Sequence, residues 1–298
     1  MHVVSISLGS SRRNHRTETN ILGHPITLER IGTDGDQKQA RKLYLELDGK
    51  VDAFGVGGAD LGVTMNDRYY PLYSVRKLVD GLKTPAVDGG VVRRVMERHL
   101  VQRLEPLLPT PITPKRVLFG TAVARYDLVR SFHDAGYEAL YGDMGFGLGI
   151  GLPIHSLAAL HTLGRILLPI MGRLPFEWLY PTGEAQEQIT PKFGAWYAWA
   201  TVIADDFLYI KKHLPDRLDG KIIVTNTTTA EDVELLRVRG IRYLCTTTPR
   251  LEGRTFGTNV MEAALTAIAG KNRPLTSVEL QAMLSEADLT PTVLPLNV

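Results

Sequence analysis

Apolar positions along the chain follow two periods that take turns. Residues 2–8, HVVSISL, alternate as a strand, and residues 24–31, HPITLERI, read as a second. In DQKQARKLYLELDG the spacing of Ala40, Leu43, Tyr44 and Leu47 predicts an amphipathic helix, which Gly49 ends. Residues 51–58, VDAFGVGG, read as a buried strand running into a glycine-rich turn, and Val91 to Leu104 as a further amphipathic helix. A second series then begins with the strand VLFG at Val117. It continues through a helix closed by Gly136, the strand YEALYGD, the strand TVIADDF, the helix FLYIKKHL, the strand KIIVTN, the helix AEDVELLRVRG and the strand IRYLCTT. Strands that alternate with helices form a parallel sheet, because each crossover helix returns the chain to the same edge. The expected class is α/β, with a carboxy-terminal Rossmann-like, doubly wound sheet.

Between the two series lies Glu105 to Pro114, EPLLPTPITP, where four prolines fix the backbone repeatedly and remove donors. The expected organisation is an α/β domain over residues 1–105, a proline-rich linker over 106–114, and the doubly wound domain over 115–298. The 298-residue length suits two domains. The second carries an aromatic-rich insertion at about 144–199 that holds Trp178, Trp196 and Trp199. Such side chains are expected to fill a core or a subunit contact.

Charge adds exclusions. With 34 Lys+Arg against 32 Asp+Glu, the net charge of +2 argues against a dedicated nucleic-acid surface. A lone cysteine, Cys245, leaves no disulfide framework, and the eight histidines show no metal-binding spacing, so no metal is expected. The start MHVVSISLGSS lacks a secretory pattern, which predicts a cytoplasmic protein. Met144 to Gly164 contains no Asp, Glu, Lys or Arg, yet its five glycines, proline and two histidines speak against a membrane span. It reads as a buried glycine-rich loop leading into an apolar helix at a subunit contact, which makes a homodimer the expected assembly.

Five segments could carry chemistry. The turn Gly120-Thr121-Ala122-Val123-Ala124-Arg125 follows a strand where a dinucleotide site would place its glycines, and it has only the first of them. Asp143 ends the next strand, 23 residues on, where an acid would meet the ribose hydroxyls and favour NAD over NADP. Gly55 to Asp60 is also glycine-rich, but Asn66-Asp67 downstream reads as a hairpin or loop, not as the opening of a helix. Ser10, Ser11 and Arg12, in a basic loop that runs to Arg16, suit a carboxylate. Thr225, Asn226 and Thr227 stand at a strand end in the expected crevice, and Thr246 to Thr248 repeat the pattern. The last, Gly253 to Asn259, leads into the helix VMEAALTAIAG, which Thr258 or Asn259 would cap.

These pieces together resemble the shikimate/quinate 5-dehydrogenase family. The strand and loop IIVTNTT is similar to that family's strand beside the nicotinamide, and FGTNVMEAALTAIAGKNRP to its closing helix. The resemblance implies an α/β substrate domain, a Rossmann domain, an NAD cofactor and a small hydroxylated carboxylic acid as substrate, bound in a cleft between domains. It places Gly120, Thr121, Ala122, Asp143, Thr225, Asn226 and Thr227 at the cofactor and Ser10, Ser11, Arg12 and Arg68 at the substrate. The family's cofactor turn is Gly-x-Gly-Gly-Ala, whereas this chain has Gly120-Thr121-Ala122-Val123-Ala124. Its catalytic lysine falls on Arg68, which cannot act as a base. Lys77, Lys83 and Asp88 are the remaining candidates for a proton acceptor. The competing expectation is a metabolite-binding protein, or an enzyme of other chemistry, on a degenerate dehydrogenase scaffold.

Overall fold

The computed structural model describes residues 1–179, 188–248, 250–251, 254–255, 257–285 and 290–298. It divides into two units: Met1–Val95 with Leu167–Gln186 and Phe256–Asp288, and Met96–Ile166 with Glu187–Thr255 and Leu289–Val298. This division differs from a single cut at the proline run. The segment Phe256–Asp288 returns to the first unit, because its alanine-rich face has a partner there.

The first unit contains the strands β1 (His2–Ser7), β2 (His15–Ile21), β3 (His24–Gly32) and β4 (Ala53–Gly57), the hairpin of β5 (Gly62–Met65) and β6 (Arg68–Pro71), and β7 (Ala86–Val87). Its main sheet has the order β2-β3-β1-β4-β7, parallel except for β2. The helix α1 (Gln37–Leu47) packs Ala40 and Tyr44 against Val4, Ile6, Phe54 and Val56. Its N-cap Asp36 accepts bonds from Lys38 N and Gln39 N. A short helix α2 (Tyr73–Arg76) and α3 (Gly90–Glu97) follow. In place of one helix from Val91 to Leu104, α3 stops and α4 (Leu100–Leu104) begins anew after His99. Of the hairpin or loop expected at Asn66-Asp67, a hairpin forms, with both residues at positive φ in its turn, as a two-residue connection demands.

In the second unit, β8 (Arg116–Phe119), α5 (Tyr126–Asp134) and β9 (Glu138–Tyr141) are followed by α6 (Leu157–Met171), α7 (Phe176–Leu179) and α8 (Gly194–Trp199), of which α7 lies in the first unit. Then come β10 (Val202–Ala204), α9 (Phe207–His213), β11 (Ile222–Thr225), α10 (Ala230–Val238) and β12 (Tyr243–Thr246). After the short pair β13 (Arg250–Leu251) and β14 (Arg254–Thr255), the chain forms α11 (Thr258–Ala269), α12 (Ser277–Ser285) and β15 (Thr292–Pro295). The sheet order is β15-β12-β11-β10-β8-β9, parallel throughout except for β15. The parallel strands thus run 2-1-3-4-5 in order of appearance, and the doubly wound α/β class is as expected. Direction of winding reverses between β8 and β10. Beside the sheet, Phe146, Trp196 and Trp199 pack against a core of Leu118, Tyr197, Ile203, Phe207 and Ile210, so two of the three tryptophans fill a core.

Helix α11 belongs to the first unit. Its Ala263, Ala264 and Ala267 pack with Val3, Ala53 and Val87, where small side chains let the helix lie close to the sheet. No helix among the described residues is long and apolar enough to cross a membrane.

Candidate functional site

In an open α/β sheet the crevice for a ligand lies at the carboxyl ends of the strands, where the winding reverses. That place in the second unit is the gap between the loops after β8 and β10. Gly120 starts the first loop, and a Cβ there would come 2.9 Å from Asp205 Oδ2, so only glycine lets the two loops meet. The buried Asp205 accepts bonds from Thr121 N at 2.5 Å, from Thr121 Oγ1 at 2.8 Å and from Asp206 N at 2.7 Å. Asp143 reaches over from the end of β9 and accepts from Val123 N at 2.9 Å and Ala122 N at 3.2 Å.

These contacts decide what the turn can bind. A dinucleotide diphosphate is held by backbone N–H groups at the start of the helix that follows the first strand. Here the N–H groups of Thr121, Ala122 and Val123 already donate to two of the protein's own carboxylates. Asp143 is therefore engaged with the turn, where the sequence reading had it free to meet a ribose. Burial, reinforced by the charge of Asp205, pushes its carboxyl up to about 7. The carboxyl of Asp205 is also raised by burial, against the pull of Arg125.

Arg125, at the end of the same turn, is buried and sits 2.5 Å from the equally buried Glu97 Oε1 and 3.8 Å from Asp206 Oδ2. Among the described residues, none of Nε, Nη1 and Nη2 meets an acceptor at hydrogen-bonding geometry, so the pairing is one of charge. Asp206 caps α9 through Leu208 N and takes a bond of 2.5 Å from Asn226 Nδ2. Thr225 Oγ1 donates to Asn226 Oδ1, and Thr248 Oγ1 to Asn226 O. Thus Thr225 and Asn226 do join Asp205, Asp206, Thr121 and Arg125 at one edge. Thr227 follows them in the loop before Thr229, the N-cap of α10.

A small cavity of about 10 Å³ adjoins this edge, room for one water. It is lined by Gly120, Asp205, Phe146, Tyr197, Tyr209 and His213 among others. Phe146 stacks on His213 at 5.0 Å, and burial lowers the imidazole pKa. Three carboxyl groups, Glu97, Asp205 and Asp206, lie around the guanidinium of Arg125, and Asp143 adds its charge next to Asp205. The edge favours hydroxyl or amine donors over a diphosphate.

The first unit treats its strand ends in a similar way. Asp88, a candidate base, is engaged: it accepts from Leu61 N at 2.6 Å and Gly90 N at 2.8 Å, and burial with the nearby Asp60 raises its pKa. Glu262, buried on α11, accepts from Val91 N and Val92 N at 3.0 Å each, and burial pushes its carboxyl up to about 7. Both acids cap the first turn of α3, where the helix dipole favours negative charge. Lys77 ends α2 and borders a surface groove with Lys38, Arg41 and Ser74. The exposed Lys83 donates its backbone N–H to Asp48. Neither lysine is joined to Asp88 by a bond shown here.

Ser10 and Ser11 do not stand open. Ser10 Oγ accepts from Arg12 N and caps a short turn, while Ser11 N donates to Asp34 Oδ1 at 2.7 Å. The cation built into this strand end is Arg30, which donates to Ser10 O and Ser7 Oγ at 3.0 Å each. Burial and the neighbouring Arg13 lower its pKa to about 10. Arg68 is exposed on β6 and lies over the ring of Tyr70. Sequence reasoning missed Asp205, Glu97, Arg30 and Glu262, whereas Arg125 was in view as the end of the candidate turn. The pair Asp205-Asp206 at the end of an apolar strand was the one visible signal. Of the segment Gly253 to Asn259, Gly253 and Phe256 lie outside the described residues. Among the described residues, no group of three or more His, Cys, Asp or Glu is placed to hold a metal ion.

Residues 91–296 match the family model described as Domain of unknown function (DUF8754), and residues 2–88 match Domain of unknown function (DUF8753). The chain belongs to the DUF8754 family. No curated protein matches its sequence. Among solved structures, the chain is similar to an NAD-dependent malic enzyme from Thermotoga maritima, at 13% identity and TM-score 0.40, over 100% of this chain and 79% of that one. A malic enzyme (malate oxidoreductase) matches at 14% identity and TM-score 0.37, covering 95% and 75%. A periplasmic sugar-binding protein from Pseudomonas fluorescens matches at 14% identity and TM-score 0.34, covering 83% and 75%. These matches do not specifically support the shikimate/quinate 5-dehydrogenase family.

Proposed function

We propose that the chain binds a small, hydroxylated or amino-bearing organic molecule at the carboxyl edge of its second sheet, and that the turn after β8 holds no dinucleotide. One observation carries this reading: the N–H groups of Thr121, Ala122 and Val123 donate to Asp205 and Asp143. A diphosphate would have to displace two carboxylates and then sit beside them. The ligand's donors would instead meet the partly exposed Asp206, Asn226 and Thr227. The scaffold is of the dehydrogenase-like α/β kind without its cofactor turn.

A second reading is an NAD-dependent oxidoreductase that acts on a small hydroxylated carboxylic acid of the quinate or shikimate type. In its favour, Thr225 and Asn226 stand at the end of β11, where the resemblance places the nicotinamide, and Arg30 joins Ser7 and Ser10 at a cationic strand end. A thermal-shift panel separates the two, since a ligand at 100 times its Kd adds about 2.7 kcal/mol of stability. The panel would hold polyols, amines, quinate, shikimate, NAD and NADP. The first reading expects a shift with a polyol or amine, lost in Asp206→Asn, and none with NAD or NADP. Shifts confined to the dinucleotides would overturn it.

A further inference from the structure

Helices α1 and α2 stand on one core: Ala40 and Tyr44 of α1 join Leu72, Val75 and Leu78, in and around α2, in the same buried cluster of the first unit. With those side chains turned inward, Lys38 and Arg41, one turn apart on α1, line a groove. Ser74 and Lys77, one turn apart at α2, line it as well, and Gln37 and Leu78 complete it. Arg41 is fixed there, since Nη1 donates to Leu78 O at 3.0 Å and Nη2 to Asp80 O at 2.7 Å. Those carbonyls orient the guanidinium and leave its charge uncompensated. The neighbouring carboxylates are taken up: Asp36 caps α1 through Lys38 N and Gln39 N, and Glu177 Oε1 accepts from Gln37 Nε2 at 2.8 Å. Among the described residues no carboxylate lines the groove, and neither Lys38 nor Lys77 has an ion-pair partner.

Ser74 adds an independent mark. Its Oγ is shielded from solvent, yet no group among the described residues bonds to it. A buried hydroxyl left without a partner is destabilising, and a ligand in the groove would supply the missing bond. We infer that the groove binds a small phosphate monoester, its phosphate group set among Lys38, Arg41, Lys77 and Ser74. Three cations match a group that carries about two negative charges at neutral pH better than they match a single carboxylate. Arg brings a planar fork and the lysines bring point charges, both suited to phosphate oxygens. At about 350 Å³ the groove lies near the lower end of the range for small-molecule sites, which suits an ester of a few carbons and is too small to enclose a dinucleotide. It shares no residue with the edge of the second sheet, so the inference stands apart from the ligand proposed there.

Isothermal titration of inorganic phosphate and of glycerol 3-phosphate into the full chain tests this at physiological ionic strength, where exposed charges alone are largely screened. Saturable one-to-one binding is expected. Lys38→Ala and Lys77→Ala, both at exposed positions, should each weaken it about tenfold and keep the wild-type circular dichroism spectrum. Ser74→Ala should weaken it too, yet leave the thermal midpoint without ligand equal to or above that of the wild type, because it removes an unpartnered buried hydroxyl. No saturable heat with either probe up to millimolar concentration would overturn the inference. So would an affinity that stays unchanged in both lysine variants and in Ser74→Ala.

Discussion

Two carboxyl groups of raised pKa give the account a residue-scale signature. For Asp143 and Glu262 the folded-state value is about 7, against roughly 4 in the unfolded chain. Between these values the folded protein holds protons that the unfolded chain has released. Stability therefore falls as pH rises through that window, by up to about 1.4 kcal/mol per pH unit for each group, and levels off above it. Thermal unfolding followed between about pH 5 and pH 8 should show this slope, and Asp143→Asn should flatten part of it. A midpoint that rises with pH across the window would refute the burial argument. Arg125 makes a second case: Arg125→Met removes the guanidinium beside the buried Glu97 carboxylate and should cost about 3–5 kcal/mol in urea denaturation, largely recovered by adding Glu97→Gln. Neither group announced itself in the sequence, because a buried acid and a surface acid are spelled alike. Asp143 was legible as a strand-end carboxylate, but its use as an internal acceptor depends on the reach of one loop over another.

Elements were more legible than their uses. Period and punctuation predicted β1, α1, the Asn66-Asp67 hairpin and the run from β8 to β12 because each depends on nearby residues. The edge strands β2 and β15 escaped: β2, HRTETNI, is almost wholly polar and shows no apolar alternation although β3 follows it directly in a hairpin, while the four-residue β15, TVLP, takes its partner from the distant β12. The break between α3 and α4 escaped as well, as the apolar spacing continues through it. At the start of α10 the local logic is complete: Thr229 Oγ1 accepts from Asp232 N, and Asp232 accepts in return from Thr229 N and from Lys211 Nζ at 2.9 Å. Thr229→Ala should cost about 1 kcal/mol, measured by denaturant unfolding, with no change in ligand response.

For the whole molecule, the cut at the proline run was a local reading of a non-local arrangement. The two family models meet between residues 88 and 91, close to the edge of the first unit at Val95. That unit is completed by α11, whose alanines cover Val3, Ala53 and Val87. Residues 1–105 produced alone should therefore show no cooperative thermal transition, and a sharp melt with dispersed amide resonances would count against the assignment. The central claim concerns the turn at Gly120 to Arg125, where internal carboxylates hold the N–H groups that a cofactor would need. Isothermal titration of NAD and NADP into the full chain tests it most directly. The account predicts no saturable heat up to millimolar concentration; stoichiometric micromolar binding, weakened by Thr121→Pro in a chain that keeps its fold, would contradict it.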